Sequence, residues 1–172
     1  MPSIEQQAAR LLEENDVRRA PVPVEAIAKA LGLDVRYAPT TDDVSGALIR
    51  KGRTAVIAVN SAQHENRQRF TIAHEIGHFI LHKQTRSHLD EDFRIDYRNA
   101  ISSEAVEKGE IEANRFSAEL LMPKNFLRRD LLRMEPAESD ADEVIQTLSI
   151  RYKVSRRAME LRLLNLGLIS PV

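Results

Sequence analysis

A chain of 172 residues is long enough to bury one hydrophobic core, as a single domain or a domain with a small appendage. It has no cysteine, which excludes disulfides, thiolate metal ligands and a cysteine nucleophile, so any bound metal must be held by His, Asp or Glu. With 25 Lys and Arg against 26 Asp and Glu the formal charge is -1, which supplies no global field for nucleic acid, and no segment approaches the roughly 18 consecutive apolar residues of a membrane span.

The polar, acidic N-terminus lacks the apolar stretch of an export signal, which reads as a cytoplasmic chain. Ile4, Ala8, Leu11 and Leu12 recur at helical spacing behind Ser3, a suitable N-cap, and predict a helix over 4–14. A short helix over 24–31 follows Pro21 and Pro23 and ends at Gly32, where a C-cap glycine is expected. Residues 33–37 alternate as a strand does. Residues 44–49 and 55–59, joined by Arg50-Lys51-Gly52-Arg53, read as a β-hairpin. Three short antiparallel strands are the predicted sheet.

From Glu65 the pattern changes to a period near 3.6, with Phe70, Ile72, Ala73, Ile76, Phe79 and Ile80 predicting a helix to about His82. Residues 83–109 are polar and acidic and read as a long irregular segment. A second strong helix covers 110–121 and stops before Pro123. Helices over 124–129, 140–152 and 155–166, the last closed by Gly167, complete the chain. The boundary is placed at residue 123, with a main domain over 1–123 and a helical extension over 124–172.

Within the 65–82 helix lies His74-Glu75-Ile76-Gly77-His78, the H-E-x-x-H pattern. Four residues advance a helix by about 400°, so the two imidazoles stand about 40° apart and about 6 Å along the axis, placed to share one zinc ion. Glu75 sits about 100° round from His74, where a general base can address a metal-bound water without being a ligand. The bland alternative, two histidines decorating a surface helix, fits poorly with the apolar neighbours Ile72, Ile76, Phe79 and Ile80. A catalytic zinc also needs a third protein ligand. Candidates are His64, His82, His88, Glu110, Glu112 and the acids of the 83–109 segment. His82 lies about 12 Å along the axis from His74 and reads as a neighbour of the site. Glu110 and Asn114 share a helix face, so the carboxylate can reach the metal while the Asn114 amide oxygen accepts from the outer nitrogen of a ligating histidine. Glu112, about 200° round from Glu110, points elsewhere.

The stretches from Arg69 to His82 and from Glu110 to Pro123, with Val44-Ser45-Gly46-Ala47 and Val59-Asn60 upstream, resemble the ImmA/IrrE family of bacterial and phage metallopeptidases. The resemblance covers roughly residues 20–123. It implies an α+β fold with a small antiparallel sheet against a zincin-like core of helices. It also implies a gluzincin-like site whose third ligand falls on Glu110, and Zn2+ as the cofactor with another divalent metal as the alternative. Members are similar in cleaving helix-turn-helix repressors, which makes such a repressor of a phage, mobile element or stress regulon the implied substrate. Ser117 departs from the alanine more common after the phenylalanine, a change confined to packing behind the ligands. His82, His88 and Tyr97 are candidate substrate or oxyanion contacts, and spacing does not choose between them. The 44–59 hairpin is a candidate edge for binding an extended peptide.

The C-terminal stretch 144–166 superficially resembles helix-turn-helix, and residues 151–162 hold Arg151, Lys153, Arg156, Arg157 and Arg162 against the single acid Glu160. DNA binding, or a non-catalytic regulator that sequesters a repressor, is therefore the competing reading. Exposed arginines on one connected face would favour DNA binding. The oligomeric state is not legible.

Overall fold

A computed structural model describes residues 2–41, 44–51, 54–82, 87–91, 100–134 and 140–170, with backbone alone at 51, 87–91 and 100–106. Its elements are α1 (Ile4–Glu14), α2 (Val24–Ala30), β1 (Leu33–Ala38), β2 (Val44–Lys51), β3 (Thr54–Asn60), α3 (Glu65–Leu81), β4 (Ser87–Glu91), α4 (Ala100–Leu121), α5 (Lys124–Leu131), α6 (Ala141–Tyr152) and α7 (Arg156–Asn165). By contacts the chain divides into one unit of residues 23–117 and another of 1–22 with 118–172. The dividing line falls inside α4, and α1 clusters with the C-terminal helices, whereas the sequence reading groups it with residues up to 123.

The unit of residues 23–117 is α+β, as expected, but its sheet is mixed and four-stranded, ordered β1-β3-β2-β4. β1 runs parallel to β3, from Leu33↔Ala55 to Ala38↔Asn60, while β2 is antiparallel to both β3 and β4. The antiparallel prediction fails because β3 inserts between β1 and β2: the chain reverses once from β1 to β2 and again from β2 to β3, so β1 and β3 run the same way. Asn60, wholly buried at the end of β3, fixes this path. Its Nδ2 donates to the carbonyls of Thr41 (3.2 Å) and Val44 (2.9 Å), and its Oδ1 accepts from the amides of Thr40 (3.3 Å) and Ala62 (3.0 Å). One side chain thereby ties the β1–β2 connection and the turn after β3 to the buried end of β3. The hairpin forms as predicted, although Gly52 and Arg53 lie outside the described residues.

β4 arises in the segment read as irregular. Its sequence, Ser-His-Leu-Asp-Glu, has one apolar residue and no alternation, so pairing with β2 makes it a strand where pattern gives no signal. Likewise α4 begins ten residues before Glu110 and continues through Gly109. Because β2 is paired on both sides, the hairpin offers no free edge at that strand; β1 and β4 are the sheet's outer strands.

The helix α3 crosses the sheet with Thr71 to Ile76 and both Gly77 and His78 buried, so it is covered on all sides over two turns. Its start is capped by His64, whose side chain accepts from the Asn66 amide at 3.1 Å. Its end is held by Arg50 of β2, which donates to the carbonyls of His78 (3.4 Å) and Phe79 (3.3 Å) and lies over the Phe79 ring. Close approach to the sheet depends on Gly46. A Cβ there would stand 2.4 Å from Thr71 Cγ2 and 2.6 Å from the Ala58 carbonyl oxygen.

In the other unit, α1 opens with a capping box between Ser3 and Gln6 and buries Ala8, Leu11 and Leu12, the predicted face. Two buried ionic clusters complete this unit. Asp130 accepts from the Tyr152 hydroxyl at 2.9 Å and pairs with Arg151 at 3.2 Å, and Arg162 makes a bidentate pair with Glu119 (2.7 and 2.6 Å) and donates to the Met122 carbonyl at 3.0 Å. Burial and the Asp130 carboxylate together push the Tyr152 phenol well above its ordinary pKa.

The clash at Gly46 yields a test of this packing. Gly46→Ala is expected to lower unfolding stability by about 1–3 kcal/mol, the usual cost of overpacking, measured by urea denaturation. An unchanged midpoint would show that α3 does not rest on β2 as closely as described.

Candidate metal centre

Two helices supply the site. On α3 the four-residue spacing brings His74 Nε2 and His78 Nε2 to 3.0 Å from each other. Gly77 lies between them in sequence, and a Cβ there would stand 3.2 Å from Ala113 Cα and from Phe116 Cδ1. The missing side chain lets α4 lie almost against the backbone of α3, and this approach delivers Glu110. Its Oε2 is 3.1 Å from His74 Nε2 and its Oε1 is 3.2 Å from His78 Nε2. The histidines are 2% and 3% exposed, so their rings are buried, while the Glu110 side chain keeps partial exposure.

The outer nitrogens decide which way the inner ones face. His74 Nδ1 is 3.1 Å from Asn114 Oδ1, so it carries the proton and leaves a lone pair on Nε2. His78 Nδ1 is 3.1 Å from His82 Nδ1, and His82 Nε2 is 3.0 Å from Glu112 Oε2. A neutral His82 that donates to the carboxylate has its lone pair at Nδ1, so His78 is the donor between the two rings and its Nε2 also presents a lone pair inward. Two lone pairs and a carboxylate thus face one another within hydrogen-bond distance. Four ligands at 2.0–2.1 Å round a tetrahedral zinc stand about 3.3–3.4 Å apart, close to the spacing of these three donors. The donor set fits a divalent cation, and among the described residues His74, His78 and Glu110 are the group of potential ligands gathered within 4.8 Å.

Glu75, next in the chain to His74, is completely buried. Asn114 stands behind His74 as helical spacing suggested, and Ser117, also buried, donates to the Ala113 carbonyl at 2.8 Å. His82 occupies the end of α3 with its ring nitrogens facing His78 Nδ1 and Glu112 Oε2, on the outer side of His78. Its link to Glu112 was not legible from helical angles, which only separate Glu112 from Glu110; the contact depends on where α3 ends against α4. His64 caps α3 and is no part of the cluster. His88 falls on β4, where only backbone is described, and Tyr97 lies outside the described residues.

The model of the IrrE N-terminal-like domain, a peptidase family designated M78, matches residues 28–164 of this chain. The chain belongs to this family. Over 82 residues this IrrE-like chain is 40% identical to the radiation response metalloprotease IrrE of Deinococcus radiodurans, a match covering 47% of the chain and 23% of that protein. Its fold is similar to that of a Mycobacterium tuberculosis transcriptional regulator, with a TM-score of 0.63 at 17% identity over 93% of this chain and 46% of the regulator. The IrrE-like chain therefore spans less than half the length of either relative.

Purified protein is expected to carry close to one divalent metal per chain, removable by chelator, and Glu110→Ala to carry almost none while remaining folded. Elemental analysis checks both. Folded native protein that takes up no metal would contradict the site.

Proposed function

We propose that this IrrE-like chain is a zinc-dependent endopeptidase that hydrolyses a peptide bond in a protein, and that its substrate is a helix-turn-helix repressor. The observation that carries the reading is the convergence of His74, His78 and Glu110 beside a buried Glu75 on the same helix. In this reading the first three are the ligands. Bound zinc supplies Lewis-acid chemistry, acidifying water and polarising the scissile carbonyl.

The remaining work belongs to the chain. Glu75 lies about 100° round α3 from His74, placed to take a proton from the attacking water and to return it to the departing amine, so that the proton lost at attack leaves with the product. Asn114 holds His74 in the tautomer that faces inward. Family membership supports the reaction class, and the family resemblance supports the repressor as substrate. Among the described residues β1 and β4 are the outer strands of the sheet, the positions at which an extended peptide could join it. A cytoplasmic location is part of this reading; no helix among the described residues is long and apolar enough to cross a membrane.

DNA binding by α6 and α7 gains no support. Arg151 pairs with Asp130, Arg156 with Asp142, Arg157 with Glu160, and Arg162 is buried against Glu119. Asp130 of α5 and Glu119 of α4 offset two of these charges, and Asp142 and Glu160, from α6 and α7 themselves, pair with the other two.

Catalysis is separated from metal binding by Glu75→Gln, which keeps size and removes the proton acceptor. Incubated with zinc and a helix-turn-helix repressor that the native protein cleaves, the variant should hold metal normally and cleave at least about a hundredfold more slowly. Undiminished cleavage by the metal-loaded variant would remove Glu75 from the reaction, and repressor inactivation without cleavage by native protein would make it a binding partner.

A further inference from the structure

Behind His78 the side chains form a line: His78 Nδ1 to His82 Nδ1 at 3.1 Å, then His82 Nε2 to Glu112 Oε2 at 3.0 Å. The His82 ring lies across α4 at Gly109, where a Cβ would be in ordinary contact with it at 3.5 Å. His82 and Glu112 are largely shielded, with 19% and 33% of their side chains exposed, and the far oxygen of Glu112 lies 3.9 Å from Lys108 at the surface. The line therefore starts at the metal pocket and ends near solvent.

We propose that His82 and Glu112 are positioning residues that set the metal affinity of the site, by holding His78 in the one tautomer whose Nε2 lone pair faces inward. This rests on the metal site proposed above. An imidazole released from such a bond is free to place its remaining proton on either nitrogen, and the tautomer protonated at Nε2 presents N–H where a ligand is needed. His74 is fixed by a neutral amide, Asn114, whereas His78 is fixed through a second imidazole backed by a carboxylate. The carboxylate makes His82 a better acceptor, which in turn raises the electron density that His78 offers to a cation. Helical angle alone sets Glu112 aside as pointing away from Glu110; the structure gives it a role through a partner, without direct contact with the metal.

The test is zinc affinity of the full chain, by competition with a chromophoric chelator, with the melting temperature of the metal-free protein measured alongside. Glu112→Ala and His82→Phe should each weaken zinc binding roughly 10- to 100-fold. The double variant should be no weaker than His82→Phe alone, because both act through one line of bonds. Glu112→Gln keeps an oxygen that accepts from His82 and should stay within a few-fold of the native protein, a rescue that loss of general stability would not produce. Folded Glu112→Ala binding zinc within twofold of native, additive losses in the double variant, or Glu112→Gln as weak as Glu112→Ala would each overturn the relay. Native protein that binds no zinc would instead overturn the metal site on which the relay stands.

Discussion

Two buried imidazole lone pairs and a largely buried carboxylate set within 3.2 Å of one another repel, unless a cation shares them. Most of the 23–117 unit can be understood as the apparatus that enforces this arrangement. The outer hydrogen bonds of His74 and His78 forbid the easiest escape, in which one ring would turn its proton inward and donate to the other. Burial of α3 on all sides prevents the second, in which the rings swing out to solvent. An arrangement that is unfavourable by itself becomes favourable on taking up a divalent ion, so folding energy elsewhere in the unit is converted into metal affinity.

The absence of side chains at two positions makes the geometry possible. At Gly46 the sheet approaches α3, and at Gly77 α3 approaches α4; in both places a methyl group would meet atoms at 3.2 Å or less. A helix clamped from two sides in this way has little freedom to shift along its axis, and Arg50 restrains its last turn by bonding to the carbonyls of His78 and Phe79. The His74 and His78 rings inherit that rigidity. Glu110 does so as well, because it lies on α4 one turn before Ala113, the residue in contact with Gly77.

How much of this was legible in the sequence follows from whether each feature is local. The helix α3 and the shared face of His74 and His78 are local, and apolar period and spacing recover them. The helix starts at Ser3 and Ser155 and the glycines that follow α2 and α7 are local too. Strand order is not: the parallel pairing of β1 with β3 depends on Asn60 gathering a distant connection, and nothing in the composition near residue 60 announces that. β4 takes its conformation from the edge of β2 and carries no pattern of its own. Of the arginines of α6 and α7, Arg151 and Arg162 read as part of a basic patch only while their partners Asp130 and Glu119 remain distant in the chain. Glu112 was set aside for the same reason, since an angle round one helix says nothing about the end of another.

The central claim is that one divalent ion sits among His74, His78 and Glu110, with His82 behind the site and outside the ligand shell. X-ray absorption at the zinc edge of the loaded protein tests it most directly. The account predicts two imidazole nitrogens at about 2.0–2.1 Å, with oxygen from one carboxylate and one exchangeable ligand completing four-coordination. A shell fitted by three imidazoles would put a third histidine on the metal and contradict the ligand set.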